Sequence, residues 1–236
     1  MKLKLQVHLP RWITKWFPLA IWRFPEESKT VYLTFDDGPI PEVTPWVLEL
    51  LRENDIKATF FAVGENVFRH PDIFVQVLEE GHAVGNHTYH HLQGLKSDNK
   101  TYFEDIHNAN RLIRTNLFRP PHGWLKRAQY RYLTRRYHII MWDVISCDYN
   151  RNITKEEVLQ NVLKYTRPGS IITFHDSQKA AQHLYWVLPR AIKALKDQGY
   201  EFKKIEIPKV KRLPLSPALL RLRKIRYNLK QLARWA

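Results

Sequence analysis

The sequence predicts an α/β fold, an irregular (distorted) (β/α) barrel of about seven parallel strands spanning residues 30–207. Two observations predict it. Strand-like and helix-like runs alternate along this span, and that order makes parallel strands joined by crossover helices. Polar residues able to do chemistry recur just after the strand-like runs, at Asp36/Asp37, His87, Arg119, Asp143–Asp148 and His175/Asp176. In a (β/α) barrel that is the face on which active sites assemble. An aromatic-rich arm (residues 1–29) precedes the barrel, and a basic tail (residues 208–236) follows it.

Each element has a local reason. Val31–Phe35 is a run of strand formers that ends in two carboxylates, with Gly38-Pro39 stopping it. A helix is predicted from Glu42 to Asn54, since Val43, Trp46, Val47, Leu50 and Leu51 share one face and Pro45 suits its first turn. Lys57–Val63 reads as a buried strand ended by Gly64, and Pro71–Glu80 as a helix with Gly81 as its C-cap. His82–Asn86 is a short strand delivering His87 into a loop or helix start. Residues 100–116 read as helix, 117–119 as strand and 124–136 as helix; His138–Ile145 follows as one strand buried on both faces. Thr154 is the N-cap of a helix reaching Tyr165, with Glu157 at capping-box spacing. Ser170–Asp176 is a strand, 183–197 a helix ending at Gly199, and Glu201–Ile207 a last strand.

The 236 residues suffice for one large domain. A single cysteine, Cys147, rules out an intrachain disulfide, which fits a reducing compartment. The net charge of +15 is concentrated at the ends: +4 over residues 1–29, +10 over residues 203–236 and about +1 between. A nearly neutral body argues against nucleic acid as a partner of the barrel. No apolar run reaches the length of about 18 residues that a membrane span needs. In Met1–Trp22, Arg11 and Lys15 interrupt the apolar positions and no small-residue cleavage site follows, so no signal peptide is read. The expected location is the cytoplasm or the inner membrane face. The arm alternates weakly at Leu3, Leu5, Val7 and Leu9, then carries Trp12, Trp16, Phe17 and Trp22. It is expected to pack across the barrel rather than against lipid.

The adjacent carboxylates Asp36 and Asp37 repel each other unless a cation or an arginine compensates. The alternative is a solvated turn with two surface aspartates. His87 and His91 stand at i, i+4, the spacing of one face of a helical turn. Two imidazoles and one aspartate make a three-ligand site with an open position, suited to a catalytic divalent ion. Zn²⁺ is expected before Co²⁺ or Ni²⁺. A zincin glutamate is absent, so the base must come from elsewhere.

These segments, Thr34-Phe35-Asp36-Asp37-Gly38, His87-Thr88-x-x-His91, Arg119-Pro120-Pro121-His122-Gly123 and the strand ending in His175, stand in the order seen in one family. Over about residues 30–207 the chain resembles the polysaccharide deacetylases, the NodB-homology family or carbohydrate esterase family four. The resemblance implies a distorted (β/α) barrel and metal-dependent removal of acetyl groups from N-acetylated sugars. Asp37, His87 and His91 would hold the metal, and Asp36 would be the general base toward the attacking water. Arg119 would hold Asp36 ionised, and His175 would protonate the departing amine. The backbone N–H of His122 resembles a second oxyanion donor, at a position where tyrosine is more usual.

The chain departs from the family at three places. Where the family reads Asp-x-x-Asp-Trp, this chain has Ile145-Ser146-Cys147-Asp148-Tyr149, losing the first Asp, the usual partner of the acid histidine, and replacing Trp with Tyr149. Asp143, on the same strand face as Ile145, and Asp148 are the two candidates for that partnership. The leucine expected two residues before His175, lining the acetyl pocket, is Thr173. Trp142 and Tyr149 are candidates for a sugar subsite; core packing serves Trp142 equally well. The other histidines (His70, His82, His90, His107, His138, His183) read as surface or structural.

In the tail, Ser216-Pro217 starts a helix with Leu219, Leu222, Ile225, Leu229 and Leu232 on one stripe and arginines and lysines around it. Such a helix is suited to an anionic membrane surface, or to packing on the domain or a second subunit. The expected substrate is therefore an N-acetylated glycan or a lipid-linked sugar. Two alternatives stay open: a deacylase, such as a deformylase, of a lipid-linked sugar, and a catalytically silent carbohydrate-binding barrel.

Overall fold

The computed structural model describes residue 7, residues 14–25 and residues 28–207. The sequence pattern at Leu3, Leu5, Leu9 and Trp12, and the basic helix expected after Ser216, lie outside the described residues.

The strands are β1 (Thr30–Asp36), β2 (Thr59–Ala62), β3 (Ala83–Asn86), β4 (Leu117–Phe118), β5 (His138–Ile139), β6 (Val144–Ile145), β7 (Ile171–His175) and β8 (Glu201–Lys203). All pairings between them are parallel, in the order β5-β4-β3-β2-β1-β7-β6, with β8 beside the first half of β1. The helices are α1 (Thr44–Glu53), α2 (Gly64–Arg69), α3 (Pro71–Glu79), α4 (Asn99–Ile113), α5 (Arg127–Leu133), α6 (Lys155–Tyr165) and α7 (Ala181–Asp197). The curled parallel sheet is the distorted (β/α) barrel expected from the alternation.

Strand parity divides the core. Val31, Leu33 and Phe35 face outward into a cluster with Val47 and Leu51 of α1 and Leu188 and Leu195 of α7. Tyr32 faces inward, joining Phe61, Leu117, Ile140, Ile171 and Ile205. Each fully buried Leu, Ile or Phe contributes roughly 1.5–3 kcal/mol of transfer free energy. The inward row of β1 continues through Thr34 to Asp36, so parity alone puts Asp36 at the barrel mouth.

The helix signals act locally. Thr154 and Glu157 form the reciprocal capping box at the start of α6, with bonds of 3.2 and 2.8 Å. Asp98 caps α4 through Thr101 N–H at 3.0 Å. Gly64, expected only to end β2, also starts α2.

The run His138–Ile145 is not one strand. It breaks into β5 and β6, because Ile140 bridges Ile21 of the arm and the buried Asp143 carboxylate turns toward donors elsewhere. Arm and barrel join there: Ile21 N–H donates to Ile139 O and Met141 N–H to Ile21 O, while Phe24 N–H donates to Gly169 O. Phe17 is buried against Tyr130, whereas Trp16 is 72% exposed. No helix among the described residues is long and apolar enough to cross a membrane.

Candidate metal and active site

At the carboxyl end of β1 the two aspartates diverge. Asp37 has φ 87°, a left-handed conformation, so its side chain leaves the line that Asp36 follows. Asp36 accepts a hydrogen bond from Arg119 Nη1 at 2.7 Å. Arg119 is fully buried, and its other bonds run to Thr34 Oγ1 (2.8 Å), Ile140 O (3.2 Å) and Met141 O (2.9 Å). Its guanidinium lies 4.1 Å from the centre of the Phe61 ring. Burial opposes the Arg119 charge and Asp36 supports it; each of the three guanidinium nitrogens reaches an acceptor, which compensates the buried ion pair.

Asp37 meets two histidines. Its Oδ1 is 3.8 Å from His87 Nε2 and 3.3 Å from His91 Nε2, and one ligand atom from each of the three lies within 4.8 Å of the others. The segment carrying the histidines is a loop rather than a helical turn, with Thr88 at φ 63° and His91 at φ 55°. The i, i+4 spacing thus brings the rings together through two left-handed residues. His87 Nδ1 lies 2.7 Å from Arg119 O, so it carries the proton and leaves the Nε2 lone pair facing Asp37. Burial pushes the His87 pKa down to about 4, which keeps the ring neutral. Burial alone would favour a neutral Asp37, but the neighbouring imidazoles, His91 foremost and then His175 and His87, hold its carboxyl well below the usual range. Asp37 Oδ1 is buried with no hydrogen-bond partner. A lone pair aimed at an unpartnered carboxylate oxygen, with a second imidazole beside it, calls for a cation. This donor set fits a divalent ion of the Zn²⁺ type.

His175 stands across from this cluster, in register with Asp36. Asp148 Oδ1 lies 2.7 Å from His175 Nδ1, and Asp148 Oδ2 accepts the His175 backbone N–H at 2.8 Å. Burial opposes the charge on His175, but the Asp148 carboxylate, with Asp37 and Asp36 beyond, raises its pKa to about 9. Of the two candidates, Asp148 is therefore the partner. Cys147 at φ 63° swings it off the strand line, so strand parity misplaced it. Asp143 is engaged elsewhere: Arg167 binds it through two nitrogens at 2.9 and 2.7 Å, and Ser170 Oγ at 2.7 Å.

The remaining expected residues separate. Tyr149 packs edge-on against the His175 ring at 4.9 Å between centroids, with Lys179 over its outer face. His122 sits at φ 60° in the turn Pro121–Gly123, its ring 5.0 Å from that of His91. Burial and the neighbouring His91 lower its pKa. Trp142 packs against Gly123 and Trp22 and lines, with Asp143, a cleft of about 430 Å³ between arm and barrel. It is not brought to the metal cluster. Thr173 is fully buried, 3.1 Å from Thr34 Oγ1, so its hydroxyl joins the Arg119 network and does not line an open pocket. Sequence reasoning gave no role to Asp176, whose buried carboxylate accepts Gly38 N–H (2.9 Å) and Thr44 Oγ1–H (2.7 Å). Its place beside His175 was the available signal. It also overlooked Asp105, a mid-helix acid that no local pattern distinguishes.

The chain is similar to proteins of known activity. A polysaccharide deacetylase family profile matches residues 24–138. A peptidoglycan-N-acetylglucosamine deacetylase of Bacillus cereus is 34% identical over 188 residues, covering 77% of this chain and 88% of that protein. The chain belongs to the polysaccharide deacetylase family. The peptidoglycan-N-acetylmuramic acid deacetylase PdaA of Bacillus subtilis is 30% identical, over 76% of this chain and 71% of PdaA. Among solved structures, the Bc1960 peptidoglycan N-acetylglucosamine deacetylase superposes with a TM-score of 0.76 at 31% identity, covering 83% of this chain and 94% of that one. A family pseudoenzyme from Bacillus anthracis also superposes, with a TM-score of 0.70 at 27% identity over 79% of this chain and 67% of that one.

Proposed function

We propose that this protein is a metal-dependent hydrolase that removes the N-acetyl group from N-acetylated amino sugars of a polysaccharide or glycolipid. The observation that carries the reading is the grouping of Asp37, His87 and His91 within 4.8 Å, with a buried, unpartnered carboxylate oxygen among them. A divalent ion held there would polarise the amide carbonyl and acidify water.

The protein's own groups divide the proton transfers. Asp36, held by Arg119 at 2.7 Å, takes a proton from the attacking water as its oxygen bonds to the carbonyl carbon. His175 Nδ1 donates to Asp148, so Nε2 carries the proton that moves to the amide nitrogen as the C–N bond breaks. Its pKa of about 9 keeps that proton in place at neutral pH. A carboxylate base fixed by Arg119 and an acid held protonated, at the ends of paired strands, form the matched set that amide hydrolysis needs. The backbone N–H of His122 would add a donor to the developing oxyanion.

The similarity to a pseudoenzyme means that the fold alone does not carry the activity. A silent sugar-binding barrel would need neither the Asp36–Arg119 pair nor the His175–Asp148 pair. The test is acetate release from an N-acetylglucosamine oligomer by the full chain loaded with Zn²⁺. Release abolished by chelation and by Asp36→Asn is expected; oligomer binding without release would overturn the hydrolase reading.

A further inference from the structure

We infer that Asp105 is a positioning residue that holds the His87–His91 loop in its metal-binding shape before any ion arrives; this rests on the reading of His87 and His91 as ligands. Asp105 lies midway along α4 and is 5% exposed. Its Oδ2 accepts the backbone N–H of Tyr89 at 2.7 Å and of His90 at 3.0 Å. Its Oδ1 is 2.5 Å from His90 Nδ1. One carboxylate therefore holds both consecutive amides in the middle of the loop, between the two histidine ligands.

The loop needs such a hold. Thr88 and His91 are left-handed, a conformation non-glycine residues adopt only where surrounding structure compels it. The other fastenings sit at the loop's ends or face α2. Asn86 Oδ1 accepts Thr88 N–H, Thr88 Oγ1 accepts Leu92 N–H, and the first amides of α2 donate to Thr88 O and Tyr89 O. Asn86 Nδ2 also donates to Ile106 O, so neighbouring residues of α4 grip the loop's start and its centre. Asp105 alone satisfies the Tyr89 and His90 amides with a charged acceptor, and such bonds are roughly twice as strong as neutral ones. Without it, two left-handed residues and two amides without their acceptor would leave the imidazoles free to point apart.

The test compares Zn²⁺ binding by the full chain, measured by calorimetry, in wild type, Asp105→Ala and Asp105→Asn. The alanine variant is expected to bind about 10–100-fold more weakly, the range for groups supporting metal ligands. Asn keeps an oxygen for both amides but loses the charge, so Asp105→Asn is expected to recover part of the affinity. A purely structural aspartate would lower the melting temperature of the metal-free protein and leave Zn²⁺ affinity unchanged, and that result overturns the inference. Equal weakening by Ala and Asn overturns it too, since the acceptor would then not be what matters. Should the alanine variant fail to fold, hydrogen exchange in the metal-free wild type decides: slow Tyr89 and His90 amides support the inference, and unprotected ones refute it. Failure of the wild type itself to bind Zn²⁺ would instead strike the ligand assignment.

Discussion

Replacing Asp148 with Asn should detune His175 without emptying its surroundings. Asn is nearly isosteric, so the His175 backbone N–H keeps an oxygen acceptor where Asp148 now accepts it at 2.8 Å. The imidazole loses the negative charge that outweighs its burial and holds its pKa at about 9. With that charge gone, burial dominates and the pKa falls toward or below the ordinary value of about 6.5. The acid must be protonated to work, so the alkaline limb of kcat/KM should move down by about 2.5 pH units, and activity at pH 8 should fall by about 30-fold from protonation alone.

Stability should follow the same linkage. A histidine whose folded pKa lies above its unfolded one stabilises the fold fully below the unfolded value, and that contribution is lost as pH rises through the folded value. The window here runs from about 6.5 to about 9. A difference of about 2.5 pH units corresponds to about 3 kcal/mol. Urea unfolding of the metal-free protein at pH 6 should therefore show Asp148→Asn less stable by up to about 3 kcal/mol, with the gap narrowing by pH 10. An alkaline limb displaced by less than about half a pH unit would refute the assignment of His175 as an acid tuned by Asp148.

Asp143→Asn provides the contrast: it should lower the melting temperature by weakening the bonds to Arg167 and Ser170 while leaving the pH–rate profile where it was, a displaced limb counting against the assignment of Asp148. Zn²⁺ at about 100 times its Kd should stabilise the wild type by about 2.7 kcal/mol in thermal unfolding, and His91→Ala should abolish most of that gain. Arg119→Met should cost about 3–5 kcal/mol, read by denaturant unfolding, because it strands Asp36 as an unpaired buried charge. Gly38→Ala should cost at least about 3 kcal/mol by the same measurement, because a Cβ there runs into the Asp176 carboxylate.

Local physics made much of this legible from the chain. Alternation of strand and helix patterns gives parallel strands, and strand parity with terminating Gly-Pro puts Asp36 at a barrel mouth. Thr154 and Glu157 form their capping box from contacts three residues apart. The donor types at Asp36-Asp37, His87 and His91 pointed to a cation site from the chain alone, and the family resemblance singled out Asp37. What escaped the sequence depends on residues distant along the chain or on single left-handed dihedrals. Asp105 reaches amides 15 and 16 residues away, and Asp143 finds Arg167 24 residues on. Cys147 turns Asp148 toward His175, where strand parity favours Asp143. The break in His138–Ile145 comes from an arm residue more than a hundred positions earlier. Periodicity encodes which face a residue occupies, but a buried polar group settles wherever its hydrogen bonds can be met, and only the folded chain determines where that is.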